Sequence, residues 1–169
     1  MCLRFFVSFI GKSIVNLLLM AMASDCFVTA TSHSFHDEDI RILSRLPTRE
    51  HIAKICDHLK FKIGVELGVK TGDFAFNNLE SWKACDKYYL IDIWGHQPNY
   101  ADSANLNNIG QEWAYEVAKK KLAQFGEKPQ FIRNLTSVAS SFFANASIDF
   151  IYIDARHDYC GCKSDIEMW

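Results

Sequence analysis

Three carboxylates sit in or just after apolar runs: Glu66 in Ile63-Gly-Val-Glu-Leu67, Asp92 in Tyr88-Tyr-Leu-Ile-Asp92, and Asp154 closing Ile148-Asp-Phe-Ile-Tyr-Ile-Asp154. His157 follows the last of them by three residues. Short, near-continuous apolar runs are the spelling of strands buried on both faces of a parallel sheet. Ligands of such sheets bind outside the carboxyl ends of the strands, so acids placed there share one rim. A carboxylate on that rim accepts hydrogen bonds from ligand hydroxyls. Asp154 has the oxygen chemistry that a hard divalent cation such as Mg²⁺ prefers. An imidazole titrates near neutrality, so His157 can take a proton from a hydroxyl as that hydroxyl attacks an electrophile. Plainer readings stand beside these: a solvated strand-end acid for Asp92, a helix cap for Asp154, an ordinary rim histidine for His157.

The stretch after the first strand is punctuated by Gly68 and Gly72, with Thr71 placed to cap a helix opening at Asp73. Glycine there tolerates positive φ and leaves room beside a bound cofactor. Val65-Glu-Leu-Gly68 carries an acid where the dinucleotide G-x-G-x-x-G fingerprint has its first glycine. The spacing Glu66-x-Gly68-x-x-x-Gly72 instead resembles motif I of the class I S-adenosylmethionine (SAM) methyltransferases. An acid suits that ligand, which carries a sulfonium and an ammonium group. Asp92, about twenty residues past the turn, is placed as the acid that accepts from both ribose hydroxyls.

Tyr152-Ile-Asp-Ala-Arg-His-Asp-Tyr159 resembles the Tyr-Ile-Asp-x-x-His-x-Tyr segment of the methyltransferase-24 group, which includes metal-dependent sugar O-methyltransferases. The resemblance implies S-adenosyl-L-methionine held by Glu66, Gly68, Gly72 and Asp92, a metal such as Mg²⁺ on Asp154, and His157 as general base. It implies a small-molecule acceptor with a sugar or phenolic hydroxyl. The loop from Trp94 through Tyr100, Asp102 and Asn105 also resembles members of this group. Within it, Trp94, His96 and Tyr100 are placed either to touch an acceptor or to pack. Two other readings are a non-catalytic or decayed Rossmann-like binding protein and a nucleotide-dependent oxidoreductase. The missing glycine fingerprint weighs against the oxidoreductase.

The elements that must position these residues alternate. Thr48 is placed to cap a helix in which Ile52, Ile55, Cys56 and Leu59 share a face. Phe74, Phe76 and Leu79 mark a crossover helix to about Trp82, followed by the second strand from Tyr88 to Trp94. A polar loop from Gly95 to Asn108 leads to a helix with Trp113, Val117 and Leu122 inward and Lys119 to Lys121 outward. Phe131-Ile-Arg133 reads as a third strand, Val138 to Phe143 as a helix, and Ile148 to Asp154 as a fourth strand, with Asp165 on a final helical turn. The expected fold is α/β, a Rossmann-like doubly wound parallel sheet of the class I methyltransferase kind, incomplete at the C-terminus. That class has the strand order 3-2-1-4-5-7-6, of which this sequence supplies the first four. The chain therefore reads as an N-terminal part, and the outer edge of its apolar fourth strand is expected to await a partner beyond residue 169.

With 169 residues, 49% of them hydrophobic and 22% charged, the chain is long enough for one domain with its own core. A net charge of −2 supplies no basic field for nucleic acid. Arg4, the apolar runs Phe5 to Ile10 and Ile14 to Met22, and the small residues of Ala21-Met-Ala23 read as a signal peptide over residues 1–23. Lys12 and Asn16 interrupt the run, which favours a cleaved leader, entry into the secretory pathway and no stable membrane insertion. Residues 24–47 read as a linker with a short helix over Ile40 to Leu46, and residues 48–169 as the methyltransferase domain. Past the leader the cysteines are Cys26, Cys56, Cys85, Cys160 and Cys162, an odd number without a disulfide framework.

Overall fold

Alternation along each apolar run decides which face of the sheet its side chains meet. The computed structural model describes residues 6–9, 16–21, 26–31 and 49–169, with side chains from Arg49 onward, Glu50 excepted. The strands are β1 (Phe6–Phe9), β2 (Asn16–Ala21), β3 (Cys26–Thr31), β4 (Ile63–Leu67), β5 (Lys87–Asp92), β6 (Pro129–Arg133) and β7 (Phe150–Ile153). The helices are α1 (Ile52–His58), α2 (Asp73–Ser81), α3 (Asn108–Leu122), α4 (Thr136–Ala139) and α5 (Tyr159–Met168). The strands form one sheet in the order β3-β2-β1-β7-β4-β5-β6. Its parallel part, β7-β4-β5-β6, has the expected 4-1-2-3 arrangement.

The outer edge of β7 is not open, contrary to the sequence reading. β1 pairs with it antiparallel, Val7 opposite Tyr152 and Phe9 opposite Phe150. β2 and β3 extend the sheet outward by antiparallel pairing. Cys26–Thr31 is thus a strand where a linker was expected, and its content of Phe, Val and Thr suits a pleated surface. Of the Ala21-Met-Ala23 site only Ala21 is described, at the end of β2; Met22, Ala23, the short helix over Ile40 to Leu46 and the Thr48 cap lie outside the described residues.

Two cores flank the parallel strands. On one face Trp82, Tyr88, Leu90, Trp94, Phe150 and Tyr152 pack against buried residues of α1, α2 and α3. On the other, Val65, Leu67, Ile91, Ile151 and Ile153 pack against Ala139, with Ile166 and Trp169 at the edge. Helices cover both sides, so the sheet is doubly wound. Trp82 is wholly buried, and its indole N–H donates to the Phe61 carbonyl at 2.8 Å. Burying a side chain of this kind contributes roughly 1.5–3 kcal/mol.

Helix α3 buries Leu122 and turns Lys119 and Lys120 outward as expected, but it does not bury Trp113. Gln111, Ala114, Ala118 and Leu122 are buried, while Trp113 is 59% exposed. The helix lies over the Gly turn, where a Cβ on Gly72 would stand 3.3 Å from atoms of Ala118 and Leu122, so the face it turns inward is the one that packs on this turn. The expected helix over Val138 to Phe143 is the short α4 followed by a 3₁₀ turn, Ser140–Phe142.

The two motif glycines have different duties. Gly72 has φ 72° and is itself the N-cap of α2, while the Thr71 hydroxyl donates to the Asp73 carboxylate instead of capping. Gly68 has φ +84°, and a Cβ there would lie 2.3 Å from the Asp154 carbonyl oxygen. What forbids a side chain at Gly68 is therefore the neighbouring strand end of the protein itself. Gly68→Ala combines left-handed strain with overpacking and is expected to destabilise by about 3 kcal/mol or more. Gly126→Ala, at φ 62° and ψ −126° but with nothing within 4 Å, carries backbone strain without a clash and should cost less than Gly68→Ala, about 2 kcal/mol. Urea unfolding midpoints of the two variants check this contrast.

Candidate functional site

The carboxyl ends of the parallel strands open onto a cavity of about 330 Å³. Glu66, Gly68, Asp92, Asp154 and His157 all line it. Gly72 is not among the lining residues; it stands behind the turn, against α3. Four of the five residues tied by resemblance to cofactor or metal therefore face one space, together with the predicted base.

Asp92 is held hard against the Gly turn. One carboxylate oxygen accepts from the amides of Val69 and Lys70 at 2.8 and 2.9 Å, and the other accepts from the amide of Trp94 at 3.0 Å. A carboxylate offers about four lone-pair directions, so roughly one remains for a ligand. The positive φ values of Lys70 (52°) and Trp94 (39°) mark how tightly both segments curl around it.

Glu66 is 1% exposed, on the face of β4 that meets Tyr88. The Tyr88 hydroxyl donates to Glu66 Oε2 at 3.0 Å, and Asn78 Nδ2 donates to that hydroxyl at 2.8 Å. Burial pushes the carboxyl well above the usual carboxylate range, against the opposing effect of the Tyr88 hydrogen bond. The neighbouring Asp154 charge pushes the same way. Asn78 Oδ1 is buried without a hydrogen-bond partner among the described residues. A flip of that amide would let a protonated Glu66 donate to Tyr88 and Tyr88 donate onward to Asn78.

Asp154 and His157 meet as the sequence spacing implied, and they meet more than each other. His157 Nε2 lies 3.1 Å from Asp154 Oδ1, and Nδ1 lies 3.0 Å from Asp102 Oδ2. The His157 backbone amide donates to the Tyr100 hydroxyl at 3.0 Å. Asp154 Oδ2 faces the Arg49 guanidinium at 3.4 Å, and Arg49 also donates to the Tyr152 hydroxyl at 2.9 Å. Arg49 and Asp102 had no role read for them, the first because it precedes every motif, the second because a loop has no periodicity; Tyr100, expected to touch an acceptor or to pack, instead accepts from the His157 amide. The polar loop is nonetheless well tied. Asn105 donates to the carbonyls of Gln97 and Tyr100 and accepts from the Gln97 amide.

The metal reading of Asp154 does not fit this donor set. Its oxygens face an imidazole and a guanidinium, and among the described residues no group of three or more His, Cys, Asp or Glu is placed to hold a metal ion. Asp165, also singled out from sequence, lies away from the cavity. It is 3% exposed and accepts from the Thr136 hydroxyl, tying α5 to α4.

A parallel sheet in this order, with a Gly turn and rim acids at its carboxyl ends, is the class I methyltransferase arrangement. Residues 65–169 match the methyltransferase-24 family model, described as a methyltransferase domain, and the chain belongs to that family. Among solved structures it is similar to spermidine synthase from Thermotoga maritima, with a TM-score of 0.40 and 13% identity over 94% of this chain and 49% of that one. It is also similar to a spermidine synthase in complex with the transition state analogue AdoDATO, with a TM-score of 0.38 and 14% identity over 89% and 47%. The chain thus spans about half the length of these structures. No curated protein matches it.

The raised Glu66 pKa makes stability depend on pH in a defined direction. Between the ordinary Glu value of about 4.3 and the folded value, the unfolded chain has released this proton while the folded chain still holds it. Stability from this group is therefore complete at the acid end and falls as pH rises. Glu66→Gln, which keeps an acceptor for Tyr88, should gain stability over the parent at pH about 8 and lose that advantage near pH about 4. Urea unfolding at the two pH values reads the difference.

Proposed function

We propose that this domain transfers a methyl group from S-adenosyl-L-methionine to a hydroxyl of a small-molecule acceptor, a sugar or a phenol. The observation that carries this reading is the single cavity that joins the Gly turn and Asp92 to His157. Its lining fits the cofactor. Asp92 keeps acceptor capacity for a ribose hydroxyl, Gly68 leaves the turn backbone bare, Phe74 and Leu135 offer apolar surface, and Glu66 presents a buried carboxyl. The cofactor supplies an electrophilic methyl on a sulfonium centre.

The chain's own residues do the rest. Asp92 orients the nucleoside end, since it is itself immobilised by three backbone donors. Glu66, pushed toward the neutral form by burial, becomes easier to ionise when positive charge enters beside it. His157 takes the acceptor's proton, a contribution of about 10²–10⁴-fold for a well-placed base. Orientation within the cavity supplies a large further share. Asp154 acts here on the imidazole and on Arg49 and not on a metal.

Calorimetric titration with S-adenosylhomocysteine tests the cofactor assignment. The folded chain should bind it, and Asp92→Asn should weaken binding by about tenfold to a hundredfold, the worth of a charged hydrogen bond. Absence of binding by a chain shown to be folded would overturn the proposal.

A further inference from the structure

Nothing in the sequence pattern assigns Asp102, yet its geometry is the most constrained in the loop. Its Oδ1 accepts from the Ala104 amide at 2.7 Å, which fixes the carboxylate plane, and its Oδ2 meets His157 Nδ1 at 3.0 Å. The side chain is 19% exposed. The loop that carries it is pinned at Gln97, Tyr100 and Ala104, the last by Gln111 Nε2 at 3.0 Å. Tyr100 in turn receives the His157 amide and lies beneath the Arg156 guanidinium, 4.6 Å from its ring centre. A carboxylate held this way does one thing to an imidazole: it decides which nitrogen carries the proton.

A neutral imidazole has one N–H to give, and here carboxylates face both nitrogens. The two carboxylates are not equal claimants. Asp154 already shares its charge with Arg49, a permanent cation. The second oxygen of Asp102 takes only a backbone amide. That amide keeps the Asp102 carboxyl below the usual range, so it stays an acceptor.

We infer that Asp102 is a positioning residue for His157, holding the ring proton on Nδ1 and leaving Nε2 as the nitrogen that takes the acceptor's proton. For proton uptake at Nε2 the acceptor hydroxyl takes the place of Asp154 Oδ1 against that nitrogen; the O–H bond of the hydroxyl breaks, an N–H bond forms, and Asp154 Oδ1 accepts from it once the product has left. The resulting imidazolium donates to both carboxylates at once, the arrangement seen in the 3.0 and 3.1 Å contacts. Asp154 thereby steadies the proton after transfer, and Asp102 sets the ring before it. The inference rests on the reading of His157 as the base.

The test is the tautomer of His157 in the full chain, read by long-range ¹H–¹⁵N correlation with labelled histidine. The pH is set above the ordinary imidazole range, at about 9. The His157 signals are identified by their loss in His157→Gln. The parent should show a protonated, pyrrole-like Nδ1 and an unprotonated, pyridine-like Nε2. In Asp102→Asn the side-chain oxygen keeps the Ala104 amide, so the new amide nitrogen faces Nδ1 and donates to it. The pattern should then interchange, with the proton on Nε2. A parent whose proton is on Nε2, or an Asp102→Asn chain that keeps the parent pattern, overturns the inference. The parent spectrum alone decides if the variant does not fold. Because the tautomer is read without any methyl transfer, its outcome is separate from binding of S-adenosylhomocysteine, whose absence would count against the cofactor assignment only.

Discussion

The close approach of the β4 and β7 chain ends governs the whole cleft. Past the last paired residues, the Gly68 amide still donates to Ile91 on one side, and the Asp154 amide donates to Leu67 on the other. The strands therefore stay at sheet spacing as far as Gly68, where any Cβ would strike the Asp154–Ala155 backbone. That constraint brings the Gly turn and the Asp154–His157 segment onto one wall. Were the two segments held apart by a side chain, the Gly-turn side and the His157 side of the cavity would no longer share a boundary.

Five acids line the cavity; Asp73 pairs with Lys121, and the other four are held by different sets of partners. Glu66 is buried and held by a tyrosine hydroxyl, an environment that favours the neutral form. Three backbone amides stabilise the Asp92 carboxylate. An amide and an imidazole satisfy Asp102, and an imidazole with a guanidinium satisfies Asp154. Four unscreened carboxylates at this proximity would repel one another. Separate neutralisation lets the rim remain acidic in composition without being uniformly charged.

This also explains which parts of the cleft could be read from sequence. Strands β4, β5 and β7 announce themselves as continuous apolar runs because both faces are covered. A residue at a strand's carboxyl end is then placed on the rim by topology alone, which is how Glu66, Asp92, Asp154 and His157 were found together. Asp102 and Tyr100 depend on a loop whose shape comes from Asn105 and Gln97 bridging across it, and no periodicity encodes such a bridge. Arg49 reaches the site from the turn before α1, far from any motif. Trp113 on α3 was misread because the helix register answers to a glycine turn, and hydrophobicity alone would have turned it inward. The cover on the β7 edge was missed for a related reason: β1 and β2 lie in a stretch whose apolar character equally suits a leader.

The relation between Glu66 and Asp154 gives the cleft a direction. Glu66 is deep, on the sheet, and presents a carboxyl that burial inclines toward neutrality. Asp154 is nearer the mouth and keeps its charge compensated by residues that approach from two different segments, Arg49 and His157. Positive charge entering the cavity at the deep end would favour ionisation of a carboxyl that burial otherwise opposes. A hydroxyl entering at the mouth finds the imidazole instead. The order of the two groups sets a buried carboxyl deep in the cavity and the imidazole nearer the mouth, and the sheet fixes that order, because Glu66 lies within β4 while Asp154 and His157 follow the end of β7.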